Sequence, residues 1–151
     1  MFGREGVESV KDVGETKKRI LVSDDDADDC LLIKDVLIDI GLECEVRFVS
    51  DGIELMEFLE ECERKERRAL WSLPDLVVLD LNMPRKGGRE VLREMSVHPR
   101  FSAIPVVVLT TSEEPRDIAL CSSLGVKLYI TKPSMYGEWL ERFEGLKEFI
   151  A

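Results

Sequence analysis

Acidic side chains crowd into one short stretch of the chain, directly after an apolar run. The stretch RILVSDDDADDC, residues 19–30, holds five aspartates within six positions: Asp24, Asp25, Asp26, Asp28 and Asp29. Adjacent carboxylates repel one another and raise each other's pKa, so a folded chain keeps such a cluster only where water, helix amides or a cation offset the repulsion. The cluster therefore predicts a helix start, a cation site, or both.

Other polar residues stand at the ends of further apolar runs. Asp80 ends DLVVLD, Thr110 ends IPVVVLT, and Lys132 follows KLYIT. Continuous β-branched runs such as VVVL are typical of strands buried on both faces, as in a parallel sheet covered by helices. Five such runs alternate with segments of helical period, which predicts five βα units. The expected fold class is α/β, a doubly wound parallel five-stranded sheet.

The order of the strands decides which polar residues meet. In an open doubly wound sheet, ligands bind outside the carboxyl ends of the strands where the winding reverses, which for the order 2-1-3-4-5 lies between strands 1 and 3. Five residues end or follow strands 1, 3, 4 and 5 and should converge at that edge: Asp24, Asp25, Asp80, Thr110 and Lys132. Residues distant in sequence would thus form one site.

The converging carboxylates favour a hard, oxygen-seeking cation. Asp24, Asp25 and Asp80 suit Mg²⁺, which takes few protein ligands and keeps positions for water and phosphate oxygens. A Ca²⁺ loop is the competing interpretation, but its sixth position would be Asp29 instead of Gly and its twelfth Asp35 instead of Glu. The sequence therefore predicts a magnesium site.

Local signals mark where the helices begin and end. Asp26 or Asp28 is expected to cap the first helix, and with Asp29 to solvate its positive dipole end. Gly41 should stop that helix. Asp51 with Glu54 predicts a capping box at the start of the second helix. Ser112 is the predicted N-cap of the fourth helix, and Ser134 that of the fifth.

Composition limits the class of protein. With 151 residues, 44% hydrophobic and 34% charged, the chain predicts one domain over residues 18–151 after a flexible arm over residues 1–17. A net charge of −10 argues against a nucleic-acid partner. No apolar stretch is long enough to span a bilayer and no signal peptide is evident, so we expect no membrane association and a cytoplasmic protein. The four cysteines lack metal-site spacing and are expected to be reduced thiols in the core.

Four segments resemble the receiver domain of two-component response regulators: ILVSDDD, DLVVLDLNMPRKGGREVL, IPVVVLTTS and LYITKP. The resemblance covers roughly residues 19–150 and implies the flavodoxin-like (βα)5 receiver fold. The run LDLNMPRKGGREVL, with LTTS and ITKP, is most similar to small single-domain receivers associated with bacterial phytochrome histidine kinases. A phosphorelay response regulator is therefore the expected function.

The resemblance also implies a role for each site residue. Asp80 would accept a phosphoryl group from a kinase phosphohistidine. Asp25, Asp80 and the backbone carbonyl of Asn82 would hold Mg²⁺, with Asp24 binding mainly through water. Lys132 and Thr110 would contact the phosphoryl oxygens, and Tyr129 would be the aromatic that reorients when Thr110 moves. Such a protein is a signalling receiver and catalyses only its own phosphorylation and dephosphorylation.

The resemblance also implies a partner protein and a route for the output signal. The partner would be a sensor histidine kinase, and the subfamily likeness indicates a bacteriophytochrome. About twenty residues follow the fifth strand, which leaves no output domain, so signalling would pass through protein contact, with a homodimer through the fourth and fifth strands and helices. A flavodoxin-like carrier or a metal-dependent phosphatase on the same layers is the alternative. Neither the phosphate loop of the carrier nor the D-x-D-x-T of a dehalogenase-type phosphatase is present.

Overall fold

The sheet has the predicted order. The computed structural model describes residues 17–64 and 71–150, and within them five parallel strands form one sheet in the order β2-β1-β3-β4-β5. The strands are β1 (Lys18–Ser23), β2 (Cys44–Val49), β3 (Leu76–Leu79), β4 (Val106–Thr110) and β5 (Leu128–Thr131). The three central strands are buried on both faces over most of their length, as their continuous apolar runs predict.

Helices cover both faces of the sheet. They are α1 (Ala27–Asp39), α2 (Gly52–Arg64), α3 (Gly88–Val97), α4 (Pro115–Ser123), α5 (Tyr136–Phe143) and α6 (Lys147–Ile150), with short 3-10 turns at Phe101–Ala103 and Glu144–Leu146. One core layer joins α2, α3 and α4 to the side chains of Leu21, Val77 and Val108. The other joins α1, α5 and α6 to those of Ile20, Val78 and Val107. Alternate residues of each strand thus feed opposite layers.

Three of the predicted helix signals are confirmed. Asp26 is the N-cap of α1, because its carboxylate accepts the backbone N–H of Asp28 and Asp29. Asp51 accepts the backbone N–H of Glu54 at 2.9 Å at the start of α2, which is one half of the predicted capping box; the Glu54 carboxylate accepts the amide of Ser50 rather than that of Asp51. Gly41 follows α1 with φ 79°, a left-handed conformation that glycine adopts without a steric penalty.

Two predicted caps are wrong. The N-cap of α4 is Glu114 rather than Ser112, because Pro115 occupies the first turn, where its fixed φ and missing N–H fit. Ser112 instead accepts the Glu114 amide through its hydroxyl. The N-cap of α5 is Met135 rather than Ser134, one residue later than predicted.

Some expectations concern residues outside the described part of the chain. Residues 1–16 of the predicted arm lie outside it, while Lys18 already belongs to β1. Within the described ranges, no helix is long and apolar enough to cross a membrane. The four cysteines are free thiols; Cys62 and Cys121 are buried in the core, as predicted, whereas Cys30 and Cys44 are only partly buried.

Candidate functional site

The pairing of β1 with β3 brings two aspartates side by side. Ser23 lies opposite Leu79 in the parallel ladder, and the Asp80 amide donates to the Ser23 carbonyl at 3.0 Å. Asp24 and Asp80 are buried, while Asp25 is exposed. Ligand oxygens of these three carboxylates all lie within 4.8 Å of one another. The predicted acidic group therefore forms at the carboxyl edge of the sheet.

Lys132 follows β5 and places its ammonium among the acids. Its Nζ lies 3.0 Å from Asp24 Oδ2, 3.1 Å from Asp80 Oδ2 and 2.7 Å from Asp29 Oδ2. Burial alone would lower the pKa of Lys132, but the contacts with Asp29 and Asp24 and the charge of Asp80 raise it above its usual value. The lysine is therefore a fixed positive charge at neutral pH.

The Asp24 carboxylate has spare capacity for a cation. Its Oδ1 accepts the Asp26 amide at 2.9 Å, whereas its buried Oδ2 accepts no well-directed hydrogen bond from the described residues, although Lys132 Nζ lies close. Burial, above all, raises the pKa of Asp24; the Asp26 amide and Lys132 oppose the shift, and the charge of Asp80 adds to it. A buried, incompletely paired carboxylate beside two others fits a divalent cation, whose charge would offset the desolvation.

The remaining predicted residues surround this group. The backbone N–H of Asn82 donates to Asp80 Oδ1 at 3.1 Å, which holds the loop after β3 against the carboxylate. Thr110 is fully buried at the end of β4, and its carbonyl accepts the Lys132 amide at 2.8 Å. Tyr129 donates its hydroxyl to the Ser112 carbonyl at 2.8 Å, so it contacts the loop that follows Thr110.

Two features shape the loop between β3 and α3. A Cβ on Gly88 would lie 2.4 Å from the Asp80 carbonyl oxygen, so only glycine allows this close approach. Arg85 has φ 64°, an uncommon left-handed conformation for a non-glycine residue, and its guanidinium donates to Asp51 at 2.8 Å. The loop beside Asp80 is thus tied to the start of α2.

An ion pair that the sequence analysis missed joins α3 to α4. Arg89 donates from Nε and Nη2 to the two oxygens of Asp117, each at 2.7 Å, and the Ser112 hydroxyl donates to Asp117 at 2.6 Å. The Arg89 guanidinium and the Ser112 hydroxyl lower the pKa of Asp117 to about 2. The pair borders a cavity of about 860 Å³ that opens beside Asn82 and the loop after β4.

The sequence analysis also missed that Asp29 is part of the site, because it assigned this residue only to solvation of the helix start. A signal was available in the sequence. Asp29 stands four residues before Ile33 and seven before Val36, both fully buried, so it heads the row of α1 that faces the core. An acidic residue in such a row needs a partner, and Lys132 is that partner.

Comparison with known proteins agrees with this geometry. Residues 20–144 match the family described as the response regulator receiver domain. The chain belongs to this family: it is a receiver domain of the two-component response regulators. Phosphorylation on an aspartate and binding of a divalent metal at the acidic pocket are typical of the family, whose members signal with histidine kinases. Membership of this family argues against both alternative interpretations, the flavodoxin-like carrier and the metal-dependent phosphatase.

Individual relatives point to the phytochrome-associated members. The chain is 34% identical over 140 residues to Response regulator Rcp1 of Synechocystis sp., covering 93% of each chain. The structure of the phosphorylated cyanobacterial phytochrome response regulator RcpA superimposes with a TM-score of 0.78 at 39% identity, covering 89% of this chain and 94% of that one. The Mn²⁺-bound form of Rcp1 gives 0.76 at 35% identity, covering 87% and 93%.

Proposed function

We propose that this receiver accepts a phosphoryl group on Asp80 in a Mg²⁺-dependent reaction with a histidine kinase. The observation that carries the proposal is the convergence of Asp80 with Asp24, Asp25 and Lys132, all supplied by the ends of β1, β3 and β5. Asp80 is buried within this group. Its Oδ1 is held by the Asn82 amide and its Oδ2 by Lys132, which leaves the carboxylate oriented for attack on phosphorus.

The roles of the surrounding residues follow from their positions. Asp24, Asp25, Asp80 and the backbone carbonyl of Asn82 would hold Mg²⁺, which supplies charge neutralisation for the transferring phosphoryl group. Lys132 neutralises phosphoryl oxygens on the other side, because its ammonium already lies 3.1 Å from Asp80. Thr110 donates its hydroxyl to a phosphoryl oxygen from the end of β4. Catalysis is limited to the protein's own phosphorylation and dephosphorylation.

The switch connects the site to the loop after β4. In this structure the Tyr129 hydroxyl donates to the Ser112 carbonyl, and Ser112 is two residues beyond Thr110. Movement of Thr110 toward a phosphoryl group would pull on that loop and release Tyr129. The Thr110–Tyr129 pair is therefore our proposed route from phosphorylation to the surface of α4 and β5.

The upstream partner we propose is a bacteriophytochrome histidine kinase, on the basis of the likeness to RcpA and Rcp1. The protein would work in the cytoplasm.

The output we propose is homodimerisation through β4, α4, β5 and α5. Trp139 and Phe143 of α5 are buried in the core and pack the helix on the sheet, so they are not contacts for a partner. Among the described residues, the large apolar or aromatic side chains left exposed near this face are Ile118, 43% exposed, Met135, 65% exposed, and Tyr136, 39% exposed.

Intact-mass spectrometry after treatment with acetyl phosphate tests the phosphoacceptor. We expect one acid-labile phosphoryl group in the presence of Mg²⁺ and none after chelation with EDTA. Asp80→Asn should abolish the gain. An Asp80→Asn protein that gains the same mass at the same rate would show that the acceptor is another residue.

Light scattering with and without beryllofluoride tests the dimer. The wild type should show a mass increase on adding beryllofluoride, and the Ile118→Asp variant should show none.

A further inference from the structure

Asp29 makes the shortest of the three carboxylate contacts to Lys132. Its Oδ2 lies 2.7 Å from Lys132 Nζ, against 3.0 Å for Asp24 and 3.1 Å for Asp80. Asp29 is not one of the three carboxylates that gather as a metal-binding group. Asp29 therefore contacts Lys132 from outside that group.

The position of Asp29 is fixed by the helix. Its amide is capped by Asp26 Oδ1 at 3.1 Å in the first turn of α1, and its side chain is 24% exposed while that of Lys132 is 10% exposed. An exposed ion pair of flexible side chains contributes little, because solvent screens it and the side chains lose entropy. This pair is mostly buried and starts from a capped helix, so little further ordering is required to make the bond.

The other two carboxylates around Lys132 have a second duty. Asp24 and Asp80 meet the lysine through their Oδ2 atoms, and both belong to the acidic group that fits a divalent cation. A cation shared between them competes with the ammonium for the same oxygens. Asp29 has no such competing role, so its contact with Lys132 can persist when the acidic group is engaged.

We propose that Asp29 is a positioning residue, which holds the Lys132 ammonium beside Asp80 so that phosphoryl oxygens on Asp80 meet a lysine already in place. The inference rests on the proposed function of Asp80 and Lys132. Asp29 itself does not touch the phosphoryl group. Its contribution is preorganisation, since a lysine with four rotatable bonds would otherwise have to be ordered during the reaction.

The test compares Asp29→Asn with Asp28→Asn. Both remove one negative charge from the first turn of α1, but Asp28 is exposed and, within the described part of the chain, its carboxylate pairs with no cation. With Mg²⁺ present, Asp29→Asn should weaken beryllofluoride binding about 10-fold more than Asp28→Asn, the worth of one charge-assisted hydrogen bond. Asp29→Glu should recover part of that loss. In a Lys132→Met background the two Asn variants should be equal.

A second readout needs no metal. In metal-free wild-type protein, the ammonium of Lys132 should give a protected nitrogen NMR signal, because it is buried and held by three carboxylates. The signal should broaden or disappear in Asp29→Asn and persist in Asp28→Asn. Equal beryllofluoride affinities and equal Lys132 signals in the two variants would overturn the positioning role while leaving the proposed function intact. A wild-type protein that binds no beryllofluoride and gains no phosphoryl group would overturn the proposed function, and the inference with it.

Discussion

The ion pair between Arg89 and Asp117 should contribute measurably to stability, and Arg89→Met removes its cation while keeping an apolar stem. Asp117 is buried, and contacts with Arg89 and Ser112 lower its pKa from 3.8 to about 2. At about 1.4 kcal/mol per pKa unit, this shift corresponds to about 2–3 kcal/mol at neutral pH. The Arg89 side chain is 38% exposed, so solvent screens its charge. We therefore expect a loss of about 1–2 kcal/mol, less than the ~3–5 kcal/mol for a fully buried pair.

The pH dependence of this contribution has a defined sign. The folded pKa of Asp117 lies below its unfolded value, so the stabilisation is present above about pH 4 and is lost as the pH falls toward 2. Urea unfolding of the wild type, Arg89→Met, Asp117→Asn and the double variant, at pH 7 and pH 3 and constant salt, measures the coupling energy. We expect it to fall by about half at pH 3.

A matched control is available on the same helix. Arg93 is one turn beyond Arg89 and borders the same cavity, but it is exposed. Arg93→Met removes an equal charge and should change the free energy of unfolding by no more than about 0.5 kcal/mol. A coupling energy of zero at pH 7, a coupling that grows on acidification, or equal losses in Arg89→Met and Arg93→Met would refute the reasoning.

Further predictions concern the acidic group and the loop beside it. Asp25→Asn should stabilise the metal-free protein by up to about 1 kcal/mol, because it removes an exposed charge within 4.8 Å of two like charges; a lower melting temperature without metal would contradict this. Gly88→Ala should destabilise by about 1–3 kcal/mol and slow phosphorylation, because its Cβ meets the Asp80 carbonyl at 2.4 Å. Gly137→Ala, with nothing within 4 Å, should be neutral or stabilising by up to about 1 kcal/mol, and thermal melts of the two alanine variants separate these outcomes.

The strand order could be predicted because the alternating βα pattern and the resemblance to receiver domains both imply a doubly wound sheet. The convergence of the site residues then follows from that order. Asp80 and Lys132 each end or follow a strand, and parallel strands place their carboxyl ends at one edge. The predicted caps at Ser112 and Ser134 failed because a helix boundary depends on which residue first takes a helical conformation. Pro115 fixes the start of α4, and side-chain propensity alone does not resolve a shift of one or two residues.

The two missed ion pairs share one cause. Asp29 on α1 and Asp117 on α4 each stand four residues before a buried side chain, Ile33 and Cys121, so each acid lies on a core-facing row of its helix. Their partners, Lys132 and Arg89, are 103 and 28 residues away in sequence. Sequence pattern shows that an acid in such a row needs a cation, but only the packed fold shows which cation reaches it.

Two hydrogen bonds of Ser112 set the energy that the proposed switch would require. Ser112, in the loop after Thr110, is held through its hydroxyl by Asp117 and through its carbonyl by Tyr129. If the loop moves when Asp80 is phosphorylated, both hydrogen bonds are exchanged, at about 1 kcal/mol for the Tyr129 bond and ~1.5–3 kcal/mol for the bond to the charged carboxylate. The phosphoryl group must therefore favour the moved state over this one by a few kcal/mol, and a ligand that contacts both states equally would not shift the population. In this structure Arg89 donates to both oxygens of Asp117, so the carboxylate would keep this partner if Ser112 turned away. The cost of the proposed switch would then fall on the loop.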